Sequence, residues 1–542
     1  MQNDEKQIEE RVEIRSRSLS SSSAAEEKII DEKRGAIEET ATFTSDSFDS
    51  KDADEALELV GTSRTQNFSE EYNRKLRRKL DWVIPPLCAA VYFTQFLDKN
   101  ALNYASIMGF PITGQEYNLV ALAFYLGFFI WEFPTVYIAQ KLRLGKYLGV
   151  NVVLWGIILM LQAVPTAFGP FFLLRILLGM LESCVAPILI LIISMFYKKD
   201  EQARRISWFY VMNGLTSVFG GFVAYGISFD TNSSFKPYRI LYLLLGALAI
   251  MVGVAVLLWM PDSPVHAKML TREERIAALE RVRDDQVGTE NRRFKRQQVW
   301  EAFADVRTWL IVLTMFLTSI PNGGLSNFSA IIVKSFGYTT RQTLILGAPG
   351  GIIGAVSTLG MGYFADKTRS RMMPIVVSII PTLVGAAMLI GLNGSGQKGA
   401  LLFATYIIGF YGSSLAIVYA YNASNTAGHT KKATINAITL ATFAAGNVVG
   451  TEIFQPKDAP AYIPGKIAIM VLLSTQLIVC FLLRGINLWL NKKKRAALQA
   501  MIQEKRWSEE DIQREREKHA FLDLTRFQES VFHLHTVMIH FM

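Results

Sequence analysis

Charged residues are scarce: 19% of the 542 residues, against 51% apolar. A soluble chain of this length carries nearer a quarter charged residues and splits into domains of roughly 150 residues. Here the apolar residues run instead in uninterrupted blocks of about twenty. That is what a helix rising ~1.5 Å per residue needs to cross ~30 Å of hydrocarbon. Cysteine is nearly absent. Cys88, Cys184 and Cys480 each lie inside an apolar block, which excludes a disulfide framework and a thiolate cluster. Histidine is sparse too. His519, His533, His535 and His540 fall near the end of the chain, and His266 and His429 fall in polar connections. No spacing suits a metal site, and no nucleophile motif or phosphate loop accompanies them, so an enzyme is not expected. The N-terminus lacks an apolar stretch, so no cleavable signal peptide is expected.

Charge of one sign is missing where a nucleic-acid binder would need it. The net charge is +9, yet residues 1–60 hold 17 Asp/Glu against 8 Lys/Arg. The basic excess lies further on, in short loops beside apolar blocks. This is the pattern of a membrane surface and argues against nucleic acid. Residues 1–80, serine-rich over 16–23, have too little apolar content to form a core and are expected to be a disordered cytoplasmic tail.

What is present is twelve apolar spans, at 83–104, 117–139, 147–166, 171–195, 206–228, 240–260, 309–333, 342–364, 374–392, 399–421, 434–454 and 466–489. They divide the chain into an N-terminal six-helix half (81–260), a polar connector (261–308), a C-terminal six-helix half (309–490) and a charged tail (491–542). The expected fold class is an all-α membrane protein with 12 transmembrane helices. Lys141, Arg143, Lys146, Lys198, Lys199, Arg204, Arg205, Lys367, Arg369, Arg371, Lys431 and Lys432 share one side with the basic connector. The opposite loops hold few Lys or Arg. Positive charge stays on the cytoplasmic side, so both termini and the connector are expected there.

Ionisable residues inside the spans face the bundle interior, because hydrocarbon penalises them. Asp98 and Lys99 stand in span one beside Gln95, Asn100 and Asn103. Arg175 and Glu182 stand in span four, seven residues apart, so they project from nearly one face with Gly179 between them. A fixed guanidinium can hold a carboxylate bidentately, and a partly desolvated carboxyl can exchange protons near neutral pH. A buried ion pair that merely locks helices is the alternative. In span seven, Pro321-Asn322-Gly323-Gly324 is expected to interrupt the helix beside a cavity and present Asn322 as a substrate-binding amide, a simple proline kink being the alternative. Gly350 and Gly354 in span eight form a small-residue pair suited to close helix packing. Asn213, Tyr411 and Asn447 are weaker candidates, and Glu132 and Glu452 have no evident role.

Several segments carry a resemblance. Gly362-Tyr-Phe-Ala-Asp366-Lys367-Thr-Arg369 resembles the gating loop motif of the major facilitator superfamily. Its first-half counterpart, Gln140-Lys141-Leu-Arg143-Leu-Gly145-Lys146, lacks the aspartate. Phe96-Leu97-Asp98-Lys99-Asn100, Arg175-x6-Glu182, Pro261-Asp262-Ser263-Pro264 and Lys457-Asp458-Ala459-Pro460-Ala461-Tyr462 are similar to the anion:cation symporter branch. Within it they resemble the fungal allantoate permease family, over roughly 75–495. The resemblance implies the major facilitator fold and proton-coupled symport of a small organic anion: allantoate, ureidosuccinate, a dipeptide, or a vitamin or vitamin precursor. Some family members are linked to the thiamine pathway. Carried onto this chain, Asp98 and Glu182 become proton sites, and Lys99 and Arg175 become anion contacts. Lysine stands at 99 where the branch often has arginine, a point charge instead of a fork.

The expectation is therefore a multi-pass secondary transporter in the lipid bilayer, acting as a monomer on a small organic anion and a proton. The proton gradient is its driving force, and no cofactor or metal is needed. Family resemblance favours the plasma membrane, with endoplasmic reticulum and vacuole as alternatives. An uncoupled facilitator or exchanger, and a non-transporting nutrient sensor, remain open.

Overall fold

The computed structural model describes residues 68–230, 235–287, 296–368, 372–426 and 429–505. The serine-rich 16–23 stretch, Arg369 and the chain beyond 505 lie outside them. Among the described residues there are helices and turns and no strand. Span one is α1 (Glu70–Ala105), span two α2 (Gln115–Lys141) and span three α3 (Leu144–Leu161). Span four divides into α4 (Phe168–Glu182) and α5 (Val185–Phe196), and span five into α6 (Lys199–Tyr210) and α7 (Met212–Ile227). Span six is α8 (Pro237–Trp259), and the connector carries α9 (Arg272–Val287) and α10 (Arg296–Ala304). Span seven is α11 (Val306–Ser335); span eight is α12 (Thr340–Leu346) with α13 (Ala348–Thr368); span nine is α14 (Met372–Gly391). Span ten is α15 (Lys398–Ile408) with α16 (Gly412–Asn425), span eleven α17 (His429–Thr451) and span twelve α18 (Ile463–Lys505). Among the described residues, 11 helices are long and apolar enough to cross a membrane. Span five is not among them; it opens on the charged residues Lys199, Asp200 and Glu201.

Local chemistry sets these boundaries. The Ser69 hydroxyl accepts from the Tyr72 N–H at 3.2 Å, and Glu70 and Glu71 sit in the first turn of α1, where the helix dipole favours acid. Residues 70–80, expected as part of the tail, are therefore helical. They are tied down by Arg77–Glu201 at 3.0 Å and Lys79–Glu274 at 2.7 Å. Just beyond them, Arg205 grips Asp81 through two bonds of 2.7 Å. At the other end α18 continues past 490 to Lys505. Span four breaks at Ser183–Cys184 because Pro187 brings no N–H and its ring crowds the carbonyl of Ser183.

Two expectations about glycine are corrected. Span seven is not interrupted: α11 runs through Pro321 unbroken. Gly323 and Gly324 instead let α17 close against it, since a Cβ on Gly323 would lie 2.4 Å from the Asn447 carbonyl oxygen. In span eight the packing glycine is Gly351, whose Cβ would meet the Gly214 carbonyl of α7 at 2.8 Å. Gly354 faces open space, and Gly350 meets only the Tyr406 ring.

The two halves repeat one packing plan. Within each, the first span packs on the fifth, the second on the fourth, and the third on the sixth. The halves meet through spans two and eleven, five and eight, and one and seven. At the end of the bundle opposite the termini, hydrogen bonds tie the two halves together. Asn103 spans that seam with both ends of its amide, donating to the Ser329 hydroxyl at 2.8 Å and accepting from the Ala330 N–H at 3.0 Å. Tyr117 donates to the Asn327 carbonyl at 2.7 Å, and Asn118 to the Phe454 carbonyl at 3.0 Å. The Tyr117 ring also meets Phe328 edge to face at 5.4 Å. The bundle is thus joined at the far end.

Candidate functional site

The break in span four leaves the Glu182 carbonyl without its helical donor, and the Gln95 amide fills that place at 3.2 Å. This bond fastens α1 to α4 and sets the Asp98 carboxyl beside the Glu182 carboxyl. Both residues are 1% exposed. All four of their carboxyl oxygens are buried without a hydrogen-bond donor from the described residues.

Arg175 is 2% exposed and lies close enough to act electrostatically on both carboxyls. It forms no ion pair with Glu182. Its guanidinium donates to the Tyr242 hydroxyl of α8 at 3.3 Å, and its Nε–H has no partner among the described residues. The helix-locking ion pair therefore does not form. Gly179, between the two on the same face, admits a helix: its Cβ would lie 2.0 Å from the Phe124 carbonyl oxygen of α2.

Lys99 turns its ammonium into an aromatic box. The Phe96 and Tyr125 rings each lie 5.5 Å away, and the Phe443 ring of the second half lies at 5.8 Å. Such rings stabilise a cation through their negative faces, and the charge also acts on Glu182. Sequence reasoning found the lysine but not the box. It also missed Tyr242, one helical turn from Tyr238, and the buried Tyr125 hydroxyl, which has no partner among the described residues. The structure thus gathers Asp98, Glu182, Arg175 and Lys99.

Asn322 sits apart from that group, with its amide donating to Asn447 Oδ1 at 2.7 Å across the α11–α17 contact. Asn447 in turn donates to the Phe443 carbonyl at 2.7 Å, linking this pair to the lysine box. Of the gating-loop motif, Gly362 faces open space and Lys367 is exposed. The side chain of Asp366, and Arg369, lie outside the described residues. The first-half loop obtains its missing carboxylate from elsewhere: Asp262, in the Pro-Asp-Ser-Pro segment after span six, accepts from the Lys146 backbone N–H at 3.1 Å. This supplies acid at the start of α3, where Arg143 gives no side-chain cap.

At the termini end two ionic clusters hold the connector. Glu201 accepts from both Arg77 and Arg281, joining α9 to the first half. Asp305 accepts from the Arg307 guanidinium at 2.6 Å and the Lys431 ammonium at 3.1 Å, joining the start of span seven to span eleven. Burial pushes the Asp305 carboxyl up, but the Arg307 bond and charge, with Lys431, outweigh it and hold it at about 2. Among the described residues no cluster of His, Cys, Asp and Glu could hold a metal ion.

Comparison with known proteins places this architecture. The Major Facilitator Superfamily profile matches residues 88–451. The chain is similar to the allantoate permease of Saccharomyces cerevisiae, at 33% identity over 88% of this chain and 89% of the permease. It is also similar to the thiamine pathway transporter of the same yeast, at 32% identity over 91% of this chain and 96% of that one. Among solved structures, a bacterial homologue of the human lysosomal transporter Spinster, in an inward-facing and occupied conformation, matches with a TM-score of 0.57. Its identity is 16%, over 74% of this chain and 96% of that one, so the likeness is one of fold.

Proposed function

The chain belongs to the major facilitator superfamily, and from that premise we propose that it carries a small organic anion together with a proton. The observation that supports this most is the Asp98–Glu182 contact. Ionised carboxylates are acceptors only, and among the described residues neither of these accepts a well-formed hydrogen bond, the nearby Gln95 amide being engaged by the Glu182 carbonyl. A proton held between them supplies the missing donor and relieves the repulsion of two like charges. Arg175 then remains as a fixed cation whose Nε–H is free to engage a carboxylate.

In this reading, the anion enters at Arg175 and Lys99 while the carboxyl pair is protonated. The halves then rock about the site. With the termini in the cytoplasm of a plasma-membrane protein, the far-end seam is the outer gate, and the structure is the inward-facing state. Anion and proton leave together toward the cytoplasm. Deprotonation restores negative charge beside Arg175, which competes with the anion and favours its release. A monomer suffices, since both halves of the site come from one chain.

The test is a thermal-shift screen of purified protein at about pH 5 and pH 7.5 against allantoate, nicotinate, pantothenate, biotin and dipeptides. A ligand stabilises by RT ln(1 + [L]/Kd), so ligand at about 100 Kd gives ~2.7 kcal/mol. A hit that is stronger at the lower pH and lost in Arg175→Ala supports the reading. Silence across the panel from folded protein contradicts it.

A further inference from the structure

We propose that Glu132 of α2 is a third proton-exchanging carboxyl, standing between the Asp98–Glu182 pair and the solution at the termini end. The proposal rests on the proton-coupled reading above.

Glu132 is 5% exposed, while Ile130 and Phe133 beside it are each 55% exposed. The carboxyl therefore points into the bundle, and its neighbours point toward lipid. An acid held at hydrocarbon depth is costly and serves packing worse than an apolar residue would. Its Oε2 is buried with no partner among the described residues. At ~1.5 Å of rise per residue, Glu132 lies about 13 Å from the Lys141 end of α2, whereas Asp98 lies about 10 Å from the far end of α1. The carboxyl is thus displaced from the pair toward the termini end, away from the hydrogen-bonded seam.

Its surroundings among the described residues offer hydroxyl groups and no paired counter-charge. From the second half, Tyr419 of α16 faces it, with Tyr210 of α6 and Tyr92 of α1 beyond. From α3 comes Tyr147, whose hydroxyl is bonded to Thr135 at 2.7 Å. α4, packed along α2, contributes Arg175 and Glu182 of the site itself. α17 brings Lys431, whose ammonium is bonded to Asp305, and Lys432. Among the described residues no Lys, Arg or His makes an ion pair with Glu132. A carboxyl paired to a cation stays ionised, while an unpaired one in an apolar interior exchanges protons. In the step proposed, the O–H bond on Glu182 breaks, water carries the proton, and an O–H bond forms on Glu132. Glu182 is left as carboxylate, Glu132 then loses its proton to solvent, and no electrons change hands.

Infrared difference spectra of the purified full chain, between pH 5 and pH 8, read protonated carboxyls directly and need no substrate. The wild type should show at least two carboxyl C=O components. Glu132→Gln should remove one component completely, and Glu132→Asp should return it at a shifted frequency. Asp98→Asn and Glu182→Gln should remove a different one. A Glu132→Gln spectrum with every wild-type component overturns the proposal. If Glu132→Gln does not fold, an unshifted Glu132→Asp spectrum overturns it equally. If instead Asp98→Asn and Glu182→Gln leave the spectrum unchanged while the Glu132 variants alter it, the proton-pair reading is what fails.

Discussion

The Arg175 guanidinium donates to the Tyr242 hydroxyl at 3.3 Å, and it does so instead of pairing with Glu182 seven residues along its own helix. The cation is thereby fixed by a neutral group from another span, and its charge is left for something else. Tyr242→Phe keeps the ring and removes that anchor. It should weaken binding of any anion found by the thermal-shift screen about three- to tenfold, the effect of one hydrogen bond of ~1 kcal/mol. Titration of the wild type and Tyr242→Phe with the same anion checks it. Arg175→Lys should not restore what Arg175→Ala loses, because an ammonium has no fork.

Helix contact at Gly179 makes a structural prediction. A methyl group there would sit 2.0 Å from the Phe124 carbonyl oxygen, and α4 cannot retreat without shifting Glu182. Gly179→Ala should cost roughly 1–3 kcal/mol by overpacking, read as a lowered unfolding temperature. Gly354→Ala, where nothing lies within 4 Å, should leave that temperature unchanged or slightly raised.

Asp305 fixes a pH window. Its carboxyl is held at about 2, against an ordinary value of 3.8. A depressed folded-state value means the unfolded chain binds more protons as pH falls. The stability it contributes is therefore complete above about pH 4 and is lost as pH falls toward 2. After solvent screening this amounts to roughly 1–2 kcal/mol. Asp305→Asn should lose that amount at neutral pH and flatten this part of the profile, as measured by thermal unfolding at stepped pH.

The far-end seam predicts a shift between states. Asn103→Ala removes two bonds to the second half, at 2.8 and 3.0 Å. At ~1 kcal/mol each, their loss should change the ratio of the two states by about tenfold or more. Cysteine reporters at exposed positions along the seam should label faster in the variant. Unchanged labelling would mean that Asn103 is no latch.

Much of this was legible in the sequence because span length and intramembrane charge are local signals. The blocks of about twenty apolar residues gave twelve spans, and the rarity of ionisable residues inside them singled out Asp98, Lys99, Arg175 and Glu182. Packing was not legible. Gly323 and Gly324 read as a helix break, yet α11 continues through Pro321 and the two glycines serve the close approach of α17. The Lys99 box could not be read either, because Phe443 arrives from the other half of the chain. Nor could the Asp262 carboxylate at the start of α3, which stands 116 residues from the backbone N–H it accepts from.

The account stands on the Asp98–Glu182 pair as a proton carrier for anion transport. Its most direct test loads proteoliposomes with a pH-sensitive dye and adds allantoate or the other panel anions outside. Wild-type protein should acidify the lumen as anion enters. Glu182→Gln should exchange labelled anion at a comparable rate with no acidification. Acidification that persists in Glu182→Gln, or wild-type anion uptake with no proton movement, would contradict the account.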